Sequence, residues 1–285
     1  MANLQADFSY YQRRQTSNPA MDRNGNFGKR TETMEGKTSS FNANQTRLKI
    51  KSTMITIQDW KANKEKWLDT DLALMTSNDG WKERSRKKGI SIWQRPFADD
   101  KNDLFRWRLP QVAANHAEVF DVFTSKMLDY HQYWTAEYTG GYVVKEIDEN
   151  TQIIYQQFNP NVPFISKRDL LYIQWSRKID NKTIQTSFRS IILDKLPVPN
   201  GFEKIDWWGG HLFEANADGT SQLVLIDREN QGGRFPAFIM NLIMPKYLTH
   251  QFESIIQFFE KGGVDGHEKL ANAKNTALKL KQIKL

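Results

Sequence analysis

The sequence predicts an α+β protein in which one curved antiparallel sheet wraps a long C-terminal helix. Two stretches carry that reading. Between Tyr142 and Asp227, short strand-like segments are separated by turn signals, as in a meander. From Gly232 to Glu260 the chain turns to helical periodicity. The first half of that helix, with Phe238, Ile239, Met240, Leu242, Ile243 and Met244, is apolar on every side and is interrupted only by Asn241 before Pro245. The second half is amphipathic, with Phe252, Ile255, Ile256 and Phe259 on one face. A helix that is apolar all round needs burial on all sides or a greasy neighbour. A curled sheet gripping the helix buries its apolar face.

The elements follow in order. Residues 1–52 are rich in Asn, Gln, Ser, Thr, Gly and Arg without an apolar period, and read as an extended or disordered arm. A helix fits Gln58 to Met75, where Trp60, Trp67, Leu68, Leu72 and Met75 share a face. Gly80 and a basic run from Lys82 to Lys88 follow. Strands fit Gly89–Arg95 and Leu104–Leu109, a helix fits Ala113–Thr124, and a shorter helix fits Lys126 to Trp134. In the meander, Tyr142–Ile147 and Gln152–Phe158 flank the turn Asp148-Glu149-Asn150. Leu170–Ile179 and Thr183–Leu193 flank Asp180-Asn181, a two-residue hairpin candidate; Phe202–Ala215 and Ser221–Asp227 flank Asp218-Gly219. Pro236 suits the first helical position, whereas Pro245 is expected to kink or divide the helix. Past Gly262-Gly263, a short Lys-rich helix fits Glu268 to Leu280. The chain thus divides into an arm (1–54), a body (55–262) and a Lys-rich tail (263–285).

Charge follows the same division. The net charge is +7 over 285 residues, but residues 1–52 carry nine Lys/Arg against four acids and residues 261–285 carry six Lys against two. The body is left slightly acidic, which argues against a nucleic-acid groove. The tails suit acidic headgroups or acidic protein surfaces, or are simply solvated ends. With no cysteine there are no disulfides, thiolate metal sites or cysteine nucleophiles. No apolar run approaches the ~18–20 residues of a membrane span, and the N-terminus has no signal core. The expectation is an intracellular chain, soluble or peripheral to a membrane or large assembly.

Three segments carry a family resemblance: Trp134 at the end of a short helix, Pro160 and Pro163 leading into Ser166-Lys167-Arg168-Asp169-Leu170-Leu171-Tyr172, and Asp227 through Gly232-Gly233 to Phe235-Pro236. In this order, over residues 55–262, they resemble the START family, the lipid-transfer domains related to the steroidogenic acute regulatory protein. The resemblance implies a helix-grip fold with a deep apolar tunnel, its mouth covered by the C-terminal helix, and a non-catalytic role in binding or moving one lipid. Trp134, Arg168, Asp169, Gly232, Gly233 and Pro236 would then be structural. Phe238, Asn241, Leu242, Met244 and Pro245 would form the lid.

The family's headgroup residues are not intact here. Phosphatidylcholine carriers place an Arg three residues before the Trp and an Asp just after it; His131 and Thr135 stand there instead, and Leu170 replaces the aromatic after Arg-Asp. Sterol carriers place an acid and an Arg where Tyr155 and Gln174 stand. The resemblance therefore implies neutral tunnel contacts from His131, Tyr155 and Gln174. Alternation turns one of Trp207 and Trp208 inward, and Trp207 is the candidate at the mouth. Plainer readings remain open: a core helix that only packs on its sheet, an Arg168–Asp169 pair that orders a strand end, and a structural His131.

Catalytic constellations are missing. The five histidines, at 116, 131, 211, 250 and 267, are scattered. No Gly-x-Ser-x-Gly elbow occurs, and the Gly-Gly pairs are isolated. The sequence predicts no cofactor, no metal, no enzyme activity and no nucleic-acid partner. It leaves two main functions, beside a small-molecule enzyme on the related helix-grip scaffold, which would require a wet pocket with paired acid–base groups. One is lipid binding and transfer with transient visits to a membrane surface. The other is a START-like structural subunit held in a large assembly through a protein partner of residues 1–52.

Overall fold

The computed structural model describes residues 54–96, 101–160, 165–193, 196, 198–233 and 237–269. The chain separates into two units, Met1–Lys49 and Ile50–Leu285, and every described residue belongs to the second. The expectations for the arm, Pro163, Pro236 and most of the Lys-rich tail lie outside the described residues.

Thr56 opens the first helix, α1 (Ile57–Thr76), with a capping box: its hydroxyl accepts from Asp59 N while the Asp59 carboxylate accepts from Thr56 N. The strands are β1 (Lys82–Lys87), β2 (Ile90–Arg95) and β3 (Leu104–Val112), then β4 (Tyr138–Asp148), β5 (Thr151–Phe158), β6 (Lys167–Lys178), β7 (Thr183–Ser190), β8 (Phe202–Lys204), β9 (Asp206–Ala215) and β10 (Ser221–Asn230). Between β3 and β4 lie α2 (His116–Phe123), α3 (Met127–Tyr130) and a 3-10 turn (His131–Tyr133). The last element, α4 (Ala237–Glu260), is the long helix. The sheet order is β1-β2-β3-β10-β9-β7-β6-β5-β4, antiparallel throughout; short β8 adds in parallel to β6.

Alternation sorts each strand between two faces. On the outer face, Trp208, Leu212, Val224 and Ile226 meet Met75 of α1, while Leu171, Ile173 and Trp175 meet Trp60 and Leu68. On the inner face, Trp107, Phe213, Leu223 and Leu225 pack against Met240, Met244, Leu248 and Phe252 of α4, with Phe123 and Trp134 beside them. At ~1.5–3 kcal/mol for each large apolar side chain fully buried, these layers hold α4 in the grip.

Several expectations change. The basic run, given no element from the sequence, forms β1 (Lys82–Lys87), a polar, exposed edge strand. Charge on an edge discourages further pairing. Pro245 does not divide α4, which runs unbroken over its 24 residues. Burial of Met244 and Leu248 on either side holds the helix through the missing hydrogen bond. Nor is the first half buried all round: Met240 and Met244 face inward, whereas Phe238 and Leu242 are 71% and 70% exposed. The predicted helix at 126–134 is the short α3 plus the 3-10 turn, and the predicted strand 202–215 breaks at Ile205 into β8 and β9. The Asp180-Asn181 turn is longer than two residues, since β6 ends at Lys178 and β7 begins at Thr183. Residues 263–269 are helical, with Val264 buried in the core and His267 stacked on Phe258 at 4.6 Å, so the body extends past residue 262.

Candidate functional site

The inner face changes character along β10. Leu223 and Leu225 pack under α4, and the same alternation brings Asp227 and then Glu229 to that face. Trp207, opposite Glu229 in the β9–β10 ladder, donates from Nε1 to Asp227 Oδ1 at 2.6 Å. From α4, the Tyr247 hydroxyl donates to Glu137 Oε2 at 3.1 Å. Gln231 Nε2 donates to Glu229 Oε1. Arg168, at the start of β6, lies close enough for its charge to act on Glu229. Trp207, Asp227, Glu229, Glu137 and Tyr247 are each partly exposed. Together they form a polar cluster between β10 and α4, the candidate crevice of the grip.

Electrostatics follow from burial. Loss of solvation raises the Glu229 carboxyl to about 7; repulsion from Glu137 adds to this, and Arg168 and Arg228 offset part of it. Asp227 is pushed well up for the same reason, with Glu229 adding and the Trp207 hydrogen bond opposing. The Tyr247 phenol is also raised well above its usual range, by burial and then by Glu137. The crevice is thus rich in acceptors that resist ionisation.

Helix α4 is held at a second point. Asn241 Nδ2 donates to Lys101 O, and its Oδ1 accepts from Asp103 N, both at 3.1 Å. The entry to β10's far side uses Gly232 and Gly233, with φ of +68° and +60°. A Cβ on Gly232 would stand 2.5 Å from Lys204 O, so the pair is both left-handed and crowded.

The structure scatters the four predicted tunnel contacts. Trp207 lies in the crevice, and Trp208 faces outward against Arg189. His131 is buried, stacked on Tyr138 at 4.7 Å, with Nδ1 3.2 Å from Gln156 Nε2; burial lowers it to about 3, so it is a neutral aromatic. Gln174 faces inward but is engaged, donating to Phe123 O at 3.2 Å and accepting from Gln152 at 3.3 Å. It borders a polar cleft of about 310 Å³ between α2 and the β4–β5 turn. Tyr155 sits on the outer face with Leu171 and Trp175 and accepts from Gln157 there, away from α4. Of the structural set, Trp134 stacks on Phe123, while Arg168 and Asp169 are buried on opposite faces of β6. Glu137, Glu229 and Tyr247 escaped the sequence reading, and Asp227 entered it only as the start of a resemblance segment. The available signal was the run Leu223, Leu225, Asp227, Glu229, an inward-facing series that ends in two acids.

At the sequence level, neither a family model nor a curated protein matches this chain. Solved structures do match. The human StAR-related lipid transfer protein 5 superposes with a TM-score of 0.62 at 20% identity, covering 70% of this chain and 94% of that one. Human STARD10 gives 0.58 at 14% identity, covering 74% and 84%. A STAR-related lipid transfer protein fragment from Xanthomonas axonopodis gives 0.57 at 18% identity, covering 64% and 99%. The chain therefore has the START-like helix-grip fold. Among the described residues, no helix is long and apolar enough to cross a membrane.

Proposed function

We propose that this protein binds one lipid inside the grip and exchanges it at a membrane surface, with the first half of α4 as the gate. The observation that carries this reading is the partly exposed polar cluster beneath α4, formed by Trp207, Asp227, Glu229, Glu137 and Tyr247. The outer face of the gate supports it. Phe238, Leu242 and Lys246 recur at helical spacing and are all exposed. Two apolar side chains followed by a lysine suit insertion into a headgroup layer, each apolar group gaining ~1.5–3 kcal/mol if fully buried there. Gly232 and Gly233 act as framework in this reading, and Met244 seals the gate from within.

Incubation with mixed-lipid vesicles followed by native mass spectrometry is expected to show one lipid per chain. The double variant Phe238→Asp/Leu242→Asp is expected to slow uptake roughly tenfold. A chain that takes up no lipid, or a double variant that takes it up as fast, overturns the reading.

The packed aromatics Tyr172, Phe188 and Trp207, with Phe188 stacked on Trp207 at 3.7 Å, support a second reading as a non-catalytic subunit of an assembly. It requires that deleting residues 1–52 abolishes co-purification with protein partners. Unchanged assembly after that deletion counts against it.

A further inference from the structure

We propose that the crevice selects an amphiphile whose polar end carries a primary ammonium with an oxygen acceptor a few bonds away, an inference that rests on the interior being a lipid site. The first ground is a hydrogen-bond imbalance. A carboxyl oxygen pair offers about four acceptor positions when ionised. Glu137 and Asp227 each receive one side-chain donor, from Tyr247 and Trp207, and Glu229 receives one from Gln231. Asp227 and Glu229 on β10 and Glu137 on the turn before β4 therefore bring three carboxyl groups together, each with acceptor capacity that no side-chain donor uses. A three-donor ammonium is the group that fits such a space.

The second ground is independent. Arg168 is 4% exposed, and its Nε has no hydrogen-bond partner; its Nη1 is held by Ser166 O at 2.7 Å. It leaves β6 on the same face as Phe158 and Leu170, and its charge reaches Glu229. A buried donor left open beside unfilled acceptors asks for a ligand that supplies an oxygen to the one and N–H groups to the others. A buried group without its partner is costly, and one headgroup of this kind satisfies both sides. Burial that holds Asp227 and Glu229 towards their neutral forms agrees with this, because a bound cation restores the charge they lose. A neutral alcohol supplies a single donor, and a quaternary amine supplies none.

Two kinds of lipid share this chemistry: a long-chain amino alcohol and phosphatidylethanolamine. The full-length protein is offered phosphatidylcholine vesicles doped with either one, with its N-acetylated counterpart, or with diacylglycerol, and bound lipid is counted by mass spectrometry. At least one of the two amines is expected to be taken up tenfold or more over its N-acetylated form and over diacylglycerol, and the arm that responds identifies the source. Asp227→Asn/Glu229→Gln is expected to bring that ratio close to one. Glu137→Gln, which retains a partner for Tyr247, should lower it in the same direction if the double variant fails to fold. Uptake without amine preference overturns this inference and leaves lipid binding standing. No uptake of any lipid overturns both.

Discussion

Arg189 shows how much one side chain organises. It leaves β7 on the outer face, pairs with Asp71 of α1 at 2.8 Å, and lies within 4.8–5.9 Å of the rings of Trp67, Trp175 and Trp208. Its Nη1 also donates to Gly209 O at 3.0 Å. Asp71 is fully buried, and desolvation raises its carboxyl despite Arg189. Removing one partner of such a pair costs ~3–5 kcal/mol, because the other is left buried and unpaired. Arg189→Met is expected to lose that much in urea unfolding, and Asp71→Leu/Arg189→Met to lose clearly less than the two single changes added. Strict additivity would show that the pair is not coupled.

Glu229 sets a pH dependence at the same scale. Its native carboxyl stands near 7, above the ~4.3 of an unfolded chain. Between those values the native state binds more protons than the unfolded state, so its contribution to stability falls as pH rises from about 4.3 to about 7. Below that window both states are protonated and nothing is lost. Glu229→Gln is therefore expected to flatten the thermal-stability profile across this window and to raise Tm at pH 8, by ~2–4 °C for each kcal/mol recovered. An unchanged profile would mean that Glu229 ionises freely in the folded protein.

At the scale of the element, α4 divides by what holds it. Its second half is fixed by Phe252, Ile255, Phe258 and Phe259, all buried. Its first half is held by Met240 and Met244, by the Asn241 clamp on residues 101–103, and by the Tyr247–Glu137 hydrogen bond. Local opening free energies track such contacts. Asn241→Leu removes two hydrogen bonds worth ~0.5–1.5 kcal/mol each. Hydrogen exchange in residues 238–246 is expected to speed up about tenfold, with residues 252–260 unchanged. Equal acceleration along the whole helix would contradict a separable gate.

The extended elements carry their own constraint at Gly209. A Cβ built there would meet the Phe188 ring at 2.7 Å, besides the backbone of the neighbouring β10. The missing side chain is what lets Phe188 stack on Trp207. Periodicity makes a glycine in a strand look like a weakness. Only the position of β7 beside β9 shows that it is room for an aromatic.

For the whole molecule, the open sheet leaves two edges, β1 and β4. β1 has the sequence Lys-Glu-Arg-Ser-Arg-Lys, with a register shift between Glu83 and Ser85. Both devices discourage pairing with a second chain. Replacing Lys82, Arg86 and Lys87 together with valine is expected to cause concentration-dependent association in light scattering while the monomer's unfolding midpoint moves little. A variant that stays monomeric at high concentration would assign the edge no protective role.

Most of the order of helices and strands and the opposite facing of Trp207 and Trp208 were determined by the sequence alone, because each depends on local periodicity. Strand β1 was hidden because an exposed edge has no apolar alternation to read. Pro245 does not divide the helix, because tertiary burial on both sides outweighs one absent hydrogen bond. Only the tertiary structure decided that Tyr155 lies outside the grip, that His131 is a buried neutral ring and that Tyr247 meets Glu137 across 110 positions of chain. Alternation gives the face of a residue within its own strand. Which strand lies beside it, and which helix covers it, follows from long-range pairing that no local pattern encodes.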